Sequence, residues 1–498
     1  MNGFGNVIYS NGDFSAGIRY EAYLNRLQGF PEGYQGTGIT YKYASYKVSD
    51  LEVTIGNYYD QFGSGLIFRS YEERNLGYDN AMDGFRLKYK FRDGVYAKAI
   101  YGKQRLFFDL GEGIVRGGDF EVQINEAIKK FKDAKTRVTI GASAVSKYQP
   151  DNDPIYNLPE NVLASAARIR ISKGKVNLFG EYAYKINDPS TDNDFIFAPG
   201  EALLINASYS TKGFAITGGF KSVDNFSFRS DRSETLNNLL INYIPALNQQ
   251  HTYNLVATLY PNATQPIGEY AYQGEVLYKI GRNSLLGGKY GANIAVNYSA
   301  SFSSSRNLLN DETTNRISHT NNLFSNGQEV YFKDFNVAYK RKISKKIKGI
   351  FSYFNLVYNN DVLVGVVELT QPQFKVKGKV YADIFVADVS YKIKRKHTIR
   401  FEAQHLRTNQ HRKNWATGLV EYTVSPHWFF ALLDQYNYGN PEAKQRIHYF
   451  TASMGYIKNA NRFSISYGRQ RAGVFCVGGV CRNVPASNGV TLSITSSF

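Results

Sequence analysis

The sequence has 498 residues, a length that alone would suggest about two or three soluble domains. Aromatic residues make up 15% of the chain, with 39 Tyr and 33 Phe, whereas Met and Cys are rare. Mean hydropathy is −0.38, and no apolar stretch reaches the roughly 18–20 residues of a transmembrane helix. The composition therefore excludes a helical membrane protein and favours a soluble all-β protein or a transmembrane β-barrel.

The chain is strongly basic, with a formal net charge of +17. A basic balance often accompanies nucleic-acid binding. Much of the charge here lies at the ends of expected strands rather than in one patch on a helix. We therefore expect no nucleic-acid partner.

Apolar and polar residues alternate along most of the chain, in segments of roughly ten residues. Clear examples are residues 85–91, 120–125, 399–404 and 463–467. Because side chains on a strand alternate between two faces, each segment has one apolar and one polar face. The apolar face would meet a core in a soluble sandwich and lipid in a membrane barrel, so alternation alone leaves both folds open.

The connections between these segments alternate between short and long. Short turns lie at 10–13, 92–94, 172–175, 211–213, 425–427 and 459–461. Longer connections lie roughly at 27–36, 58–84, 106–118, 148–161, 187–200, 229–268, 305–328, 362–378, 408–414, 438–445 and 472–487. This alternation places all tight turns at one rim and all long loops at the other, as in outer-membrane barrels. It predicts one all-β domain over residues 1–498, a transmembrane up-and-down antiparallel β-barrel of about 22–24 strands.

The start of the chain, Met-Asn-Gly-Phe-Gly, has neither a basic segment nor an apolar segment of a secretory signal. An exported form would therefore carry a signal peptide ahead of residue 1. Bacterial single-chain barrels normally have an even number of strands. Because about 23 are counted here, we also expect either a preceding strand or a miscount of one.

Residues 58–84 form the most distinctive long connection, with both charge signs and with Gly63 and Gly65 permitting unusual backbone angles. Carboxylates and guanidiniums alternate along it, so ion pairs are available. We expect it either to fold inward and narrow the lumen against cationic strand residues or to remain an ordered external loop. The residues of the expected constriction are Asp60, Arg69, Glu72, Glu73, Arg74, Arg86 and Lys88.

Basic residues cluster at connections that the alternation places at the periplasmic rim. One interpretation is that they keep that rim hydrated and prevent edge-to-edge association of the strands. The other is that they contact anionic lipid headgroups or an acidic periplasmic partner. The expected basic rim comprises Lys129, Lys130, Lys340, Arg341, Lys342, Lys345, Lys346, Lys348, Lys394, Arg395 and Lys396, with further lysines at 132, 135, 173, 175 and 392.

Tyr-Gly-Lys-Gln-Arg at 101–105 is echoed by Tyr-Gly-Arg-Gln-Arg at 467–471. We expect the two motifs either to form basic patches that bind lipopolysaccharide phosphates or to line the mouth of the barrel. The alternative is that the two motifs are similar by chance. Residues 235–248 could form an amphipathic helix inside the longest loop, as a lid or plug.

Cys476 and Cys481 flank a Gly-Gly pair, so a disulfide across a tight loop is expected, as suits an oxidising compartment. No metal motif, hydrolase motif or phosphate loop occurs in the sequence. We therefore expect no catalytic residues, no cofactor and no metal.

The last residues alternate strictly, with Val490, Leu492, Ile494 and Phe498 on one face and hydroxyl residues on the other. A terminal amphipathic strand that ends on an aromatic residue is typical of the closing strand of an outer-membrane barrel. It would place Phe498 at the periplasmic rim.

With these motifs in view, the chain resembles a family of Bacteroidota outer-membrane β-barrels catalogued as a domain of unknown function. The resemblance lies in residues 59–65, 74–77 and 79–80, in 101–105, in 475–482 and in 496–498, and it spans the chain. It implies the fold and an integral outer-membrane location but no activity, and it supplies no catalytic residues.

Two functions remain open for such a barrel. The first is a channel for small polar solutes, with a lumen partly occluded by residues 58–82. The second is a non-catalytic accessory or structural subunit of a multiprotein assembly for secretion, nutrient uptake or barrel assembly. An open lumen would favour the channel and a plugged lumen the accessory role. The expected partners are outer-membrane lipid, lipopolysaccharide, the barrel-assembly machinery during biogenesis, and other outer-membrane or periplasmic proteins.

Overall fold

The computed structural model describes residues 2–25, 27, 30–74, 77–308, 319–363, 378–471, 473–477, 480–484 and 486–496. Almost all regular structure in these ranges is antiparallel β-sheet. The short helices are α1 (Ile124–Ala127), α2 (Asn254–Leu259) and α3 (Asn360–Leu363). Among the described residues, 3-10 turns lie at Glu32–Tyr34, Lys129–Phe131, Thr191–Asn193 and Ala443–Gln445.

The first half of the chain contributes these strands: β1 Asn2–Asn11, β2 Phe14–Tyr23, β3 Gly36–Val48, β4 Leu51–Tyr58, β5 Glu72–Glu73, β6 Tyr78–Asp79, β7 Met82–Arg92, β8 Val95–Leu106, β9 Asp109–Gln123, β10 Thr136–Tyr148, β11 Asn161–Lys173, β12 Val176–Lys185, β13 Gly200–Thr211 and β14 Phe214–Asp224. The second half contributes β15 Gly268–Ile280, β16 Ala292–Leu308, β17 His319–Lys342, β18 Ile347–Asn359, β19 Lys379–Lys394, β20 His397–Arg407, β21 Trp415–Val424, β22 Trp428–Tyr436, β23 His448–Lys458, β24 Asn461–Gln470, β25 Gly473–Val477, β26 Val480–Val484 and β27 Ser487–Thr495.

One sheet of 23 strands forms the wall of the molecule. Each wall strand pairs antiparallel with the next along the chain, with β5–β6 and β25–β26 set apart as small hairpins. The predicted up-and-down barrel wall and its strand number are confirmed. The edge strands β1 and β27 run in the same direction, and no pairing between them occurs among the described residues.

The two faces of the wall differ in chemistry. Large apolar side chains stand exposed on the outer face of successive strands, as with Phe85, Phe120, Phe401 and Ile465. Residues of opposite parity point inward and are buried although many are charged, as with Lys221 and Glu269. A soluble sheet would bury the apolar face instead, so this inverted arrangement is that of a membrane barrel.

Most short turns lie at one end of the wall, which we call the turn rim, and most of the longer loops lie at the other, the loop rim. Two predicted boundaries differ. Residues 109–118, expected in a loop, extend β9, which pairs Leu110 with Arg105 across a two-residue turn. Conversely, residues 124–135 at the turn rim form a longer helical connection in which Asn125 binds the backbone of Phe131, Thr136 and Val138.

The helix predicted at 235–248 is absent, because residues 236–239 form a turn and the backbone around it bonds to a neighbouring segment. Ile241 N–H donates to Phe228 O, and Ser230 N–H donates to Leu239 O. The helix of this loop, α2, begins later, at Asn254.

None of the helices in the described ranges has the length and apolar character that crossing a membrane requires.

The C-terminal strand β27 pairs with β24 and exposes Val490, Leu492 and Ile494 at 67%, 65% and 59%. Phe498 lies outside the described residues. In the β25–β26 hairpin the backbones of Cys476 and Cys481 are directly paired. Their side chains are not among those that the structure describes, so the disulfide stays a prediction.

Candidate functional site: an occluded lumen

The connection 59–81 between β4 and β7 turns into the space enclosed by the wall. Its apolar centre, Leu66, Ile67 and Phe68, has no exposed surface. These side chains pack with inward residues of the wall such as Val145 and Val162. An external loop could not bury them, so this segment lies within the lumen.

A second connection, residues 225–267 between β14 and β15, also runs through the lumen. Phe226, Phe228 and Ile241 join the same buried apolar cluster. The remainder, with Leu255 and Tyr260, forms a second cluster against the opposite part of the wall. The segment therefore crosses the enclosed space from one side to the other.

The two inward connections are joined to each other. Arg69 N–H donates to Ile241 O at 2.8 Å, and Tyr243 N–H donates to Gly65 O at 2.9 Å. The amide of Asn80 donates to Leu240 O at 2.9 Å. The described residues of 59–81 (59–74 and 77–81) and residues 225–247 thus form one folded unit, which we call the plug.

Asp60 fastens the plug to β7 and β8. Its carboxylate lies 2.8 Å from Lys98 Nζ, 3.4 Å from Lys88 Nζ and 3.7 Å from the Arg86 guanidinium. Arg86 also bonds to Glu52 at 2.5 Å and to Tyr59 O at 3.0 Å. Since the carboxylate is almost fully buried, these cations compensate a charge that would otherwise be costly to bury.

A second ionic cluster holds the far end of segment 59–81. Asp79 bonds to Arg19 at 2.5 Å and to Arg105 at 2.6 Å, and Arg105 also bonds to Glu21 at 2.6 Å. Glu72 bonds to Arg19 at 3.0 Å. The cluster therefore ties β5 and β6 to β2 and β8.

The carboxylate oxygens of Glu21, Glu72 and Asp79 come within 4.8 Å of one another, a spacing that a cation could bridge. The guanidiniums of Arg19 and Arg105 already bond to these carboxylates. The donor set thus fits two arginines, and we assign no metal to it.

Gly63 is required where the plug passes β12. Its φ is +52°, and a Cβ built there would lie 2.5 Å from a carboxylate oxygen of Glu181. The other oxygen of Glu181 accepts the N–H of Ser64 at 2.7 Å. A glycine is therefore needed both for backbone conformation and for space.

The sequence-predicted constriction residues fall into four settings. Asp60, Arg86 and Lys88 meet at the Asp60 anchor, and Glu72 pairs with Arg74 as well as Arg19. Arg69 instead lies between aromatic rings, 4.3 Å from the Tyr71 centroid and 4.0 Å from that of Tyr243. Glu73 pairs through its backbone with Tyr78 in the β5–β6 hairpin.

The repeated motif at 101–105 and 467–471 does not end in exposed basic patches. Arg105 is 2% exposed at its side chain and faces the lumen. Arg471 donates to the backbone oxygen and the hydroxyl of Thr258 on α2. Both final arginines therefore bind plug or lumen segments, and the interpretation as a lipopolysaccharide-binding patch is wrong for them.

The expected basic rim lies at the turn rim in every case. Exposed members are Lys129, Lys130, Lys340, Lys342, Lys345, Lys346, Lys348, Lys394, Arg395 and Lys396, and Arg341 is partly covered. What this surface contacts stays a prediction.

Several cavities remain inside the wall, and two of them have volumes of about 610 and 630 Å³. One, of about 610 Å³, borders the Asp60 anchor and is lined by many charged side chains, among them Lys88, Lys90, Asp119, Glu121 and Arg168. The other, of about 630 Å³, lies between segment 243–262 and strands from β17 to β22. The lumen is thus divided rather than empty.

Several residues of the occluded lumen were not found from the sequence. Arg19, Glu21, Lys98 and Glu181 are ordinary polar positions of amphipathic strands, with nothing to distinguish them from other lumen residues. The signal that could have found the 225–267 insertion is its length together with its apolar Phe226, Phe228 and Ile241, which an external loop would expose.

All of residues 1–498 match the sequence profile of a family described as a family of unknown function, DUF6029, so the chain belongs to that family. No curated protein matches it. Among solved structures it is similar to the siderophore receptor PirA from Pseudomonas aeruginosa (9% identity, 99% of this chain and 79% of that chain, TM-score 0.38). It is also similar to the ferric yersiniabactin uptake receptor FyuA from Yersinia pestis (9%, 99% and 76%, TM-score 0.32) and to a mutant Rh. blastica porin (13%, 71% and 98%, TM-score 0.26). Likenesses this distant carry no argument about function.

Proposed function

We propose that this member of the DUF6029 family is an integral outer-membrane barrel that transports small polar solutes, without catalysis, through a lumen closed at rest by its plug. The observation that supports this proposal most is the pair of cavities with polar lining on the inner face of the wall. They offer solutes a polar environment within a structure whose outer face is apolar.

The membrane location rests on the outer face. Exposed apolar side chains recur on strands throughout the wall, which would be an aggregation liability in water and is favourable in lipid. Aromatic pairs such as Trp428–Tyr456 and Tyr89–Phe91, with centroids 4.7 Å apart, lie near the turn rim, where an interfacial girdle would be expected.

The plug favours a second candidate, the accessory subunit of an outer-membrane assembly. A lumen crossed by a buried apolar cluster is not an open pore, and a plugged lumen is what we expect of a subunit without a channel of its own. The basic turn rim would then be the surface that meets the partner.

Reconstitution into planar bilayers and liposomes separates the two functions. Transport predicts low resting conductance together with measurable flux of at least one class of small polar solute into liposomes. Absence of both, with stable co-purification of another outer-membrane or periplasmic protein from native membranes, would establish the accessory role instead. Large, steady conductance from the intact chain would contradict the closed resting state.

A further inference from the structure

We propose that the cavity between residues 243–262 and the strands β17–β22 binds a neutral, polyhydroxylated solute, such as a short oligosaccharide. This inference rests on the proposed function, because it names the solute class that the barrel would take up. It deepens that proposal at one site, which we call the amide cavity.

About half of the side chains that line the amide cavity are uncharged hydrogen-bonding groups, and most of the others are apolar. Amides come from Asn248, Gln249, Gln250, Asn254 and Asn262, hydroxyls from Thr252 and Thr258, and aromatic surface from Tyr243 and Tyr260. Carboxamides both donate and accept hydrogen bonds, which suits hydroxyl groups that do the same. The volume of about 630 Å³ falls within the range of small-molecule sites.

Two amide oxygens in the lining have unmet acceptor capacity. Asn262 is 6% exposed, and its Oδ1 has no hydrogen-bond donor among the described residues. Gln249 Oε1 is likewise buried without a donor in that part of the chain, while its nitrogen donates to Glu275 at 3.4 Å. A buried acceptor without a partner is costly, and rotation of either amide toward the cavity would let a hydroxyl-bearing solute supply the missing donor.

The charges at the cavity disfavour an anionic solute. Arg400, the cation of the lining, is held by Asp388 at 3.0 Å and also by Glu402 and Glu421. His251 is held by Asp334 at 2.7 Å. With Arg400 bound to three carboxylates in this way, the site offers an anion more repulsion than attraction, whereas about half of the residues lining the cavity beside Asp60 are charged.

The test is isothermal titration calorimetry of the purified, full-length barrel in detergent with maltotriose, cellotriose and xylotriose. Glutamate and choline serve as anionic and cationic comparators. We expect at least one trisaccharide to bind with a dissociation constant below about 10 mM and both charged comparators to bind more weakly. Asn262→Leu and Gln249→Leu should each weaken that binding about tenfold, because each leaves a hydroxyl unpaired.

Gln123→Leu is the matched control, since this amide lines the charged cavity instead. It should leave trisaccharide binding unchanged, and heat-modifiable gel mobility reports whether each variant is folded. The proposal would be overturned if none of the three sugars binds, or if Gln123→Leu weakens trisaccharide binding as much as the two test variants do. Tighter binding of choline or glutamate than of the sugars would also overturn it. Because binding is read without flux, a barrel that binds sugar but does not transport it would refute only the transport role.

Discussion

At the scale of single residues, the lumen depends on buried charges that are matched in place. Asp60, Asp79 and Glu181 lie on or against the plug, and each is met by a cation or a backbone N–H. Removing one member of such a set leaves its partners buried and uncompensated, which costs far more than losing a surface pair. The ionic contacts therefore decide the position of the plug.

We expect Asp60→Asn to loosen the plug by removing the charge that Lys98 and Lys88 approach at 2.8 and 3.4 Å. Breaking a fully buried pair costs about 3–5 kcal/mol, and the cost here is smaller because Lys98 and Lys88 are 30% and 36% exposed, but it still favours plug-displaced states. Bilayer recordings should show brief openings that the parent lacks. Asp50→Asn is the control, because that carboxylate is 57% exposed and lies 4.0 Å from Lys90. If the bilayer recordings of both variants and the parent are the same, Asp60 does not contribute to closing the lumen.

His411, in the loop between β20 and β21, should make local stability depend on pH. Burial first, and then Arg412 and Arg471, lower the pKa of His411 to about 4. The unfolded loop, with a pKa near 6.5, therefore binds a proton first as the pH falls. The contribution of neutral His411 to the stability of this loop is fully present above about pH 6.5 and is lost as the pH falls from about 6.5 to 4. The loss is roughly 2 kcal/mol at pH 5.

Hydrogen exchange of the peptide covering 408–414, corrected for intrinsic rates, measures this loss. Protection should fall between pH 7 and pH 5 in the parent and stay level in His411→Gln. His427→Gln at the turn rim should behave as the parent does. A pH dependence that persists in His411→Gln would assign the effect to another group.

At the scale of elements, the plug is a second small core within a polar enclosure. Its centre combines Phe62, Leu66 and Phe68 with Phe228 and Ile241. Complete burial of a Leu or Phe side chain contributes about 1.5–3 kcal/mol, so the apolar centre adds to the ionic anchors. Disturbing one of the two is therefore expected to give brief displacement of the plug, and disturbing both a lasting one.

Deleting residues 62–76 should open the lumen, because it removes the apolar centre of the plug and its hydrogen bonds to 241–243. Single-channel conductance should rise to a stable level, and sensitivity to antibiotics normally excluded by the outer membrane should increase. Shortening the external loop at 152–157 by a similar method is the control and should change neither quantity. Unchanged conductance in the deletion variant would show that residues 225–262 close the lumen alone.

The strands of the wall can be predicted from the sequence far better than the segments that fill the lumen. Period-two alternation and the short–long order of connections are local, so strand positions and rims follow from residues such as Phe85–Phe91. The plug depends on contacts between residues far apart in sequence, such as Ser64 with Glu181. The 235–248 error has the same origin, since its apolar spacing suits a helix but the neighbouring 228–230 segment offers backbone partners.

At the scale of the whole molecule, charge is arranged along the axis of the barrel. The lysine clusters lie at the turn rim, whereas buried arginines and carboxylates occupy the lumen near the loop rim. Each basic residue near an anionic surface contributes about 1 kcal/mol of attraction, so the cluster at 340–348 could hold a lipid leaflet or an acidic protein.

Replacing Lys345, Lys346 and Lys348 with Gln should weaken binding of periplasmic partners and of anionic vesicles, because all three side chains are exposed at one turn. Pull-down from native membranes and vesicle co-sedimentation at low and physiological salt measure the two effects. Lys413→Gln with Lys444→Gln, on exposed loop-rim lysines, is the control. Equal binding by both variants would leave the clusters with a hydrating role only.

The plug also orders events during folding. Its contacts join residues separated by 117, 136 and 160 positions along the chain. Closing such long loops carries a large entropic cost that only later contacts repay, so these bonds form late. A nascent barrel that has not yet received Leu240 lacks the acceptor for Gln104 and Asn80, so one of the two segments of its plug is missing. We therefore expect closure of the lumen to be a late step of maturation rather than a property of the wall.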